Sequence, residues 1–409
     1  MSPLIRDLFI AFRNVTRQRR RSAVGIAAVA FGVIALLEAG GFIEWAMTGM
    51  REGTIHSRLG HLQIVRQGYY ESGFADPFEY LLPDNSPVFE KLQGMPGVVV
   101  ITPRLNFTGL VSIGDTTVSF IGEGMDPLKE EALNRSTLIT AGKAMSSDDP
   151  AGVVVGEGLA ANLGVKVGDR IVLLANTGHG GINGSEGTVR GFFSTATKAY
   201  DDAALRLPLP MAQKLLRVSG SHVWAILLNE TSATQSQAAA MAPLLAPQKL
   251  QLVPWYELAD FYNKTAALFA KQVAFMKLII GLIIVMCISN TLTMSVMERT
   301  AEIGTAMALG IKRRNILQQF IAEGLVIGVI GCVVGVIGGI ALAKLISAIG
   351  IPMSPPPGLT RKLVGEILLT PQIVADAAVL AIVTSTLAAI YPAFKGARMI
   401  IVDALRFSR

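Results

Sequence analysis

The sequence has few of the residues from which metal sites and disulfide frameworks are built. Both of its cysteines, Cys287 and Cys332, lie inside long apolar segments, so the rest of the chain has no thiol. The four histidines are scattered along the chain, and we expect core or surface residues rather than metal ligands. They are His56, His61, His179 and His222. The sequence therefore predicts no metal site.

Two patterns typical of nucleotide-binding and metal-dependent enzymes are also missing. The sequence contains neither the phosphate loop G-x-x-x-x-G-K-[ST] nor the zinc motif H-E-x-x-H. The glycine-rich residues 178–184 lie between two predicted strands and no predicted helix follows them, which favours a loop over a phosphate-binding turn. We therefore predict that this chain binds no cofactor of its own and is not an enzyme.

Charged residues are scarce as well. Of the 409 residues, 16% are charged and 51% are hydrophobic, and the mean hydropathy is +0.49. This composition is too apolar for an ordinary soluble protein and too polar for a chain that lies wholly in a membrane. The net charge of +6 does not indicate nucleic acid, because the basic residues lie beside the apolar segments, where they orient membrane proteins.

Four apolar segments are long enough to cross a hydrocarbon core of about 30 Å at about 1.5 Å per residue. They cover residues 22–43, 273–296, 321–346 and 373–390. The first is longer than the apolar region of a signal peptide and no A-x-A cleavage site follows it, so we expect it to be retained. The predicted fold class is an α-helical membrane protein with four transmembrane helices and an α+β domain inserted between helices 1 and 2.

Residues 60–254 differ from the rest, because short strands and helices alternate there with glycine and proline turns. A hairpin is predicted around Gly114 and Asp115, and the β-rich residues 148–208 suggest two subdomains. With four spans, the positive-inside rule puts both termini and the charged segment after span two in the cytoplasm. The α+β domain then lies outside the cytoplasmic membrane.

Two groups of basic residues and one group of glycines are predicted to have structural roles in the membrane. The basic residues flank spans one and three, where they meet anionic lipid headgroups. They are Arg19, Arg20, Arg21, Lys312, Arg313 and Arg314. The glycines of span three form two sets with members four residues apart, which allows another helix to approach closely. They are Gly324, Gly328, Gly331, Gly335 and Gly339.

A short charged helix is predicted at residues 297–320, between spans two and three. It is either a solvated turn or a surface that a cytosolic partner binds, and the sequence around it bears on the choice. Residues 299–310 read R-T-A-E-I-G-T-A-M-A-L-G, and residues 391–406 read Y-P-A-F-K-G-A-R-M-I-I-V-D-A-L-R. These segments resemble the signature and the closing segment of FtsX-like permeases of the MacB superfamily.

Three further segments resemble the lipoprotein-releasing branch of that superfamily. They are G-H-L-Q-I-V at residues 60–65, N-L-G-V-K-V-G-D at residues 162–169 and L-P-L-P-M-A-Q-K-L-L at residues 207–216. The resemblance implies a dimeric ABC transporter permease, paired with a second copy or a paralogue. It also implies a separate cytosolic ABC ATPase, which would bind ATP and Mg and seat the helix after span two.

The resemblance assigns the ATPase contact to residues of that helix. They are Glu298, Arg299, Glu302, Ile303, Gly304, Met307 and Gly310. Glu298 and Glu302 lie about one helical turn apart and share a face, and Ile303, Met307 and Leu309 are predicted to fill a groove in the partner.

Three features depart from the family pattern. Met307 stands where the family has an arginine, and Ile401 stands where it has a tail proline. Residues 176–186 are short and glycine-rich, whereas lipoprotein-releasing permeases have a proline-containing hairpin there that recruits a periplasmic carrier. This difference argues against direct recruitment of such a carrier.

The leading interpretation is a permease subunit in the bacterial inner membrane that extracts or exports lipid, lipoprotein or another hydrophobic substrate. One alternative is a MacB-like efflux permease that works with a periplasmic adaptor and an outer-membrane channel, although such permeases usually carry a fused ATPase. The other is FtsX-like signalling to a cell-wall hydrolase, against which the large outer domain argues.

This interpretation divides the chain into segments. In order they are an amphipathic cytoplasmic helix (1–21), span one and its stalk (22–59), the periplasmic domain (60–254), the second stalk and span two (255–297), the coupling helix (298–315), span three (316–348), a periplasmic loop (349–372), span four (373–392) and a cytoplasmic tail (393–409).

Overall fold

The chain divides into two compact units in a computed structural model. The model describes residues 3–17, 19–73, 76–84, 86–195, 197–353 and 363–400. The helical unit consists of Met1–Met47, Ala266–Met353 and Val364–Arg409, and the sheet unit is built mainly from Thr48–Thr265. The predicted tail beyond residue 400 and residues 354–362 of the predicted periplasmic loop lie outside the described residues.

The described residues form both long and short α-helices. In chain order they are α1 (Pro3–Arg17), α2 (Arg19–Thr54), α3 (Tyr69–Ser72), α4 (Pro87–Gln93), α5 (Pro127–Leu133), α6 (Glu157–Leu163), α7 (Lys198–Asp201), α8 (Leu209–Leu216), α9 (Thr234–Leu245), α10 (Trp255–Leu258), α11 (Asp260–Glu298), α12 (Thr300–Ala308), α13 (Arg313–Ile349) and α14 (Pro371–Ala397). A π-helical turn, Ile55–Leu59, directly follows α2.

The strands of the described residues are short, with three exceptions. They are β1 (Leu62–Arg66), β2 (Val98–Ile113), β3 (Thr116–Met125), β4 (Leu138–Gly142), β5 (Gly152–Gly156), β6 (Arg170–Asn176), β7 (Ile182–Ser194), β8 (Ala204–Pro208), β9 (Val223–Leu228), β10 (Leu250–Pro254), β11 (Ile351–Met353) and β12 (Leu363–Gly365). The first ten form one sheet, and β11 pairs with β12.

The four predicted spans are confirmed as helices. Among the described residues, α2 with the π-helical turn, α11, α13 and α14 are long and apolar enough to cross a membrane. Local sequence fixes their ends. Thr370 Oγ1 accepts a hydrogen bond from the Ile373 amide at 3.3 Å at the start of α14, and Gly350, with φ of +76°, ends α13.

The helical unit has a core of aliphatic and small side chains. Within it, α13 packs along α14, and α1 packs along α13. The buried residues include Val29, Val33 and Leu37 of α2, Ile284, Ile288 and Leu292 of α11, and Ala377, Ala381, Ala388 and Ala389 of α14. The alanines allow α14 to lie close to its neighbours.

Six strands of the sheet unit pair in a closed ring. The order around the ring is β2, β3, β8, β5, β7 and β6, and β6 pairs back onto β2. From β2 the sheet continues through β9 and β1 to β10, while β4 pairs with β7. Because β2 belongs to both parts, it connects two apolar cores, one inside the ring and one under α4 and α9.

Several predicted boundaries differ from the structure. The predicted coupling helix 298–315 is wrong in extent, because α12 ends at Ala308, Gly310 has φ of +91° and Lys312 is extended before α13 begins. The fourth span continues as helix to Ala397 rather than ending at residue 392. The separate strands predicted at residues 98–103 and 107–113 form the single strand β2.

Candidate coupling site

One side of α12 is buried in the helical unit. Ile303 and Met307 of α12 have exposed fractions of 6% and 7%, and Gly304 is buried between them. They pack with side chains from three other helices. These are Val296 of α11, Ile316 and Phe320 of α13, and Ala393 and Ala397 of α14. The buried side of α12 therefore fixes the helix to its own bundle.

The opposite side of α12 is exposed. The side chain of Glu302 in α12 is 60% exposed, that of Glu298 at the end of α11 is 44% exposed, and Leu309 directly after α12 is 82% exposed. Gly310 is exposed beside Leu309. The prediction that Ile303 and Met307 fill a groove in a partner is therefore corrected, because both already fill a groove in this chain. Glu298, Glu302, Leu309 and Gly310 remain accessible to a partner.

Arg299 joins α12 to two other helices through Glu323. Arg299 Nη1 lies 2.8 Å from Glu323 Oε1 of α13, and Asn14 Nδ2 of α1 donates to the same oxygen at 2.7 Å. Arg299 Nε also lies 3.3 Å from Glu302 Oε2. The guanidinium carbon of Arg299 is 5.6 Å from the centre of the Phe320 ring. Arg299 was predicted to contact the ATPase, but the structure directs its side chain inward.

Glu323 is the residue of this site that the sequence interpretation missed. Its side chain is 4% exposed, and it lies in the apolar segment that forms span three. A carboxylate in such a segment is costly unless it is paired, so it commonly marks a functional or structural contact. That isolated glutamate was the available signal, although nothing local identifies Arg299, 24 positions earlier, as its partner.

The predicted lipid-binding residues lie in two different environments. Arg19, Arg20, Lys312, Arg313 and Arg314 are exposed, as a role at a headgroup surface requires. Arg21 instead pairs with Glu298 at the end of α11, and its side chain is 36% exposed. Lipid contact by these residues stays a prediction.

The five glycines of span three lie against two different helices. Gly324 and Gly328 face Ala389 and Ser385 of α14, and a Cβ at Gly328 would overlap the Ser385 hydroxyl. The other three face α2. A Cβ at Gly331, Gly335 or Gly339 would lie 2.6–2.7 Å from Val29, Val33 or Leu37. These distances leave no room for a side chain, so α13 approaches both neighbours through its glycines.

The sheet unit buries a separate group of charges. Arg104 Nε and Nη2 lie 2.6 and 2.7 Å from the two carboxylate oxygens of Glu130, and both side chains are at most 4% exposed. Arg206 Nε is 3.4 Å from Glu123 Oε2. Burial alone raises the pKa of Glu123, but the nearby Arg206, Arg58 and Arg104 outweigh it and hold that pKa below its ordinary value.

These arginines also hold the π-helical turn after α2. Arg206 Nη2 donates to the Ser57 carbonyl at 2.9 Å, and Arg104 Nη1 donates to the Arg58 carbonyl. Carbonyls at the end of a helix have no partner within the helix. The two buried arginines therefore complete the hydrogen bonding of the turn and attach it to the sheet.

Two buried histidines of the sheet unit are held neutral. His61 Nδ1 accepts from the Leu228 amide at 3.0 Å, and His222 Nδ1 accepts from the Asn106 amide at 3.1 Å. Nδ1 must be unprotonated to accept, which fixes the proton on Nε2 in both rings. Burial lowers the pKa of each histidine to about 4.

The exposed side of α12 carries the Glu302 carboxylate, and Leu309 is exposed directly after the helix, while Ile303 and Met307 are buried on the other side. Within the described parts of the chain, no group of three or more His, Cys, Asp or Glu side chains could hold a metal ion.

Two protein families match the sequence and together cover most of it. Residues 22–243 match the MacB-like periplasmic core domain, and residues 274–400 match the FtsX-like permease C-terminal family. The chain therefore belongs to the MacB and FtsX superfamily of permeases. It is a multi-pass ABC transporter permease, as the resemblance in the sequence predicted.

Individual relatives agree with this assignment. An uncharacterised ABC transporter permease of Methanocaldococcus jannaschii is 23% identical, over 97% of this chain and 96% of its own. The lipoprotein-releasing system transmembrane protein LolE of Haemophilus influenzae is 27% identical, over 62% of each chain. The macrolide export ATP-binding/permease protein MacB of Brucella abortus is 46% identical, over 22% of this chain and 13% of its own.

Two solved domain structures are also similar. The extracellular domain of the transporter YknZ from Gram-positive bacteria aligns with 47% of this chain and 100% of its own, with a TM-score of 0.36 and 11% identity. The periplasmic region of MacB from Actinobacillus actinomycetemcomitans aligns with 50% of this chain and 93% of its own, with a TM-score of 0.35 and 14% identity.

Proposed function

We propose that this chain takes up motion from a separate cytosolic ATPase through α12 and passes it to the periplasmic domain of an inner-membrane transporter. The substrate class is a lipid, a lipoprotein or another hydrophobic compound. The active assembly contains two permease chains, identical or paralogous. This chain supplies no nucleotide site, since its sequence has no phosphate loop.

The observation that carries the proposal is the two-sided character of α12. Ile303 and Met307 anchor the helix in the bundle, while Glu302 and Leu309 are left exposed. A solvated turn between spans needs no such anchoring. A helix that receives force needs both a face for its partner and a firm attachment to the bundle. In addition, α2 and α11 each continue without a break from the helical unit into residues of the sheet unit.

The first test is whether an ATPase accompanies the full chain. The chain is purified in mild detergent from its source cells, and the copurifying proteins are assayed for ATP hydrolysis. We expect an ATPase whose hydrolysis rate rises in the presence of the permease. Purified wild-type chain without any such ATPase would refute the proposal.

The second test concerns the exposed face of α12. Glu302→Arg reverses the charge of that face and should reduce permease-dependent hydrolysis about tenfold, which corresponds to about 1.4 kcal/mol. The matched control is Glu366→Arg, which changes an exposed glutamate of the same unit just before α14 and should have no effect. Equal activity of Glu302→Arg and wild type would remove α12 from the contact.

The third test separates transport from the alternatives. Lipids and lipoproteins bound to the purified complex are identified by mass spectrometry, and a consistent hydrophobic ligand is expected. An empty complex that copurifies with a cell-wall hydrolase would favour signalling. A complex with a periplasmic adaptor would favour macrolide-type efflux, as the short but more similar match to MacB suggests.

A further inference from the structure

The half-buried Arg299 and the buried Glu323 pair at the point where α1, α12 and α13 meet. The side chain of Glu323 is 4% exposed and that of Arg299 is 17% exposed. Asn14 of α1 and Arg299 both donate to Glu323 Oε1, at 2.7 and 2.8 Å. Arg299 balances the charge of the buried Glu323 carboxylate, and Asn14 and Arg299 both satisfy its hydrogen bonding. Removal of one partner would leave a buried group unpaired.

Arg299 also connects this buried group to the exposed face. Its Nε lies 3.3 Å from Glu302 Oε2, while its Nη1 binds Glu323. Arg299 directly precedes Thr300, the first residue of α12. A force on Glu302 therefore has a polar route to α13 and α1 through the Arg299 guanidinium group, beside the apolar packing of Ile303 and Met307 on α13.

We propose that Arg299, Glu323 and Asn14 form a buried lock that positions α12 on α13 and α1, so that Arg299 acts through Glu323 rather than by touching the ATPase. This inference rests on the proposed function of α12. Arg299 and Glu323 are positioning residues: without the lock, the ATPase still binds and Ile303 and Met307 still hold α12 in the bundle, but the polar connection from Glu302 to α13 and α1 is lost and ATP turnover is coupled less tightly to the permease.

The test uses the full chain with its copurifying ATPase in lipid vesicles. Glu323→Gln removes the charge but keeps an acceptor for Asn14, and Arg299→Gln removes the opposite charge. Each should lower permease-dependent kcat about tenfold. The KM for ATP and the amount of bound ATPase should stay at wild-type values. The matched control is Gln318→Glu, at an exposed position of α13 just over one turn away.

A double-mutant cycle distinguishes a lock from two independent effects. The double variant Arg299→Gln/Glu323→Gln should be no slower than either single variant, because both remove the same interaction. Arg299→Lys keeps the charge and should retain more activity than Arg299→Gln. Additive losses in the double variant would overturn the proposal.

Three other results would also overturn the lock. In the first, Arg299→Gln releases the ATPase while Glu323→Gln does not, which would make Arg299 a direct contact. In the second, the melting temperature of Glu323→Gln falls while its kcat is unchanged, which would make the pair structural only. In the third, wild type stimulates the ATPase and every lock variant does so equally, which refutes the lock and leaves the proposed function intact. If the wild-type chain has no ATPase partner, both the lock and the proposed function fail.

Discussion

The helical unit and the sheet unit exclude solvent with different kinds of residue. Between α13 and α14 close contacts are made by glycine, alanine and serine, as at Gly328 and Ser385, and the glycines of α13 also let α2 approach. The core of the six-stranded ring is instead filled by leucine, valine, isoleucine and phenylalanine, and buried arginine–glutamate pairs lie elsewhere in that unit. Lipid is as apolar as leucine, so close approach rather than apolar area stabilises helix pairs in a membrane. In water, apolar area provides the driving force.

The largest expected effect tests the buried charges of the sheet unit. Arg104→Leu leaves Glu130 buried without its arginine, and a loss of about 3–5 kcal/mol is typical for such a change. Thermal unfolding of the full chain in detergent, followed by near-ultraviolet circular dichroism, measures the effect.

The control for this change is the exposed pair Lys198–Asp202. Lys198→Ala should cost at most about 1 kcal/mol, because exposed ion pairs contribute little. The double variant Arg104→Leu/Glu130→Leu should be more stable than Arg104→Leu alone, since no unpaired charge remains. A double variant less stable than the single one would contradict this account of the pair.

The second prediction concerns acid and applies to the sheet unit. His61 and His222 have pKa values of about 4 in the folded chain, below the ordinary value of 6.5. At these positions the unfolded chain therefore binds more protons than the folded chain between pH 4 and pH 6.5. The contribution of the two neutral histidines to the free energy of unfolding is fully present above pH 6.5 and decreases as the pH falls towards 4. Each histidine contributes a slope of about 1.4 kcal/mol per pH unit in that window.

Melting temperatures measured between pH 7 and pH 4 test this slope. His222→Gln can keep both hydrogen bonds of the ring without titrating, so the pH dependence should become shallower. His179→Gln changes an exposed histidine and should leave the pH dependence as in wild type. An unchanged slope in His222→Gln would show that other groups cause the acid sensitivity.

The smallest expected effect tests close packing in the helical unit. Gly328→Leu forces α13 and α14 apart at Ser385, and overpacking of this kind typically costs about 1–3 kcal/mol. The comparison is Gly338→Ala, where the new Cβ meets only the flexible end of Ile34 at 3.2 Å. Loss of the monodisperse peak in size-exclusion chromatography should accompany the first change. If both variants behave alike, the glycines are not a packing surface.

Elements that depend on the local pattern of apolar and turn residues could be predicted from the sequence. Apolar length predicted the four membrane helices, and alternation with a turn at Gly114 and Asp115 predicted the hairpin of β2 and β3. The pairing of strands such as β4 and β8 could not be predicted, because their partners lie far away in sequence. Their placement depends on the tertiary structure.

The same limit applies to the coupling site. The signature at residues 299–310 pointed to the segment that contains α12, but not to which side of α12 is buried. That side is set by Phe320 near the start of α13 and by Ala393 and Ala397 of α14, and the chain reaches the two alanines only after another span. For the same reason, the partner of Arg299 could not be read from its neighbours. The functional role of these residues stays a prediction.

The closed ring of strands has a consequence for the behaviour of many copies in one membrane. Unpaired strand edges are templates on which other molecules can add strands and aggregate. The ends of the sheet are β10 and β4, which have five residues each. Pro254 ends β10, and the pairing of β4 shifts register between Ile139 and Ala141. Membrane confinement raises the local concentration of such domains, and these two short, interrupted edges protect them from fibril-like association.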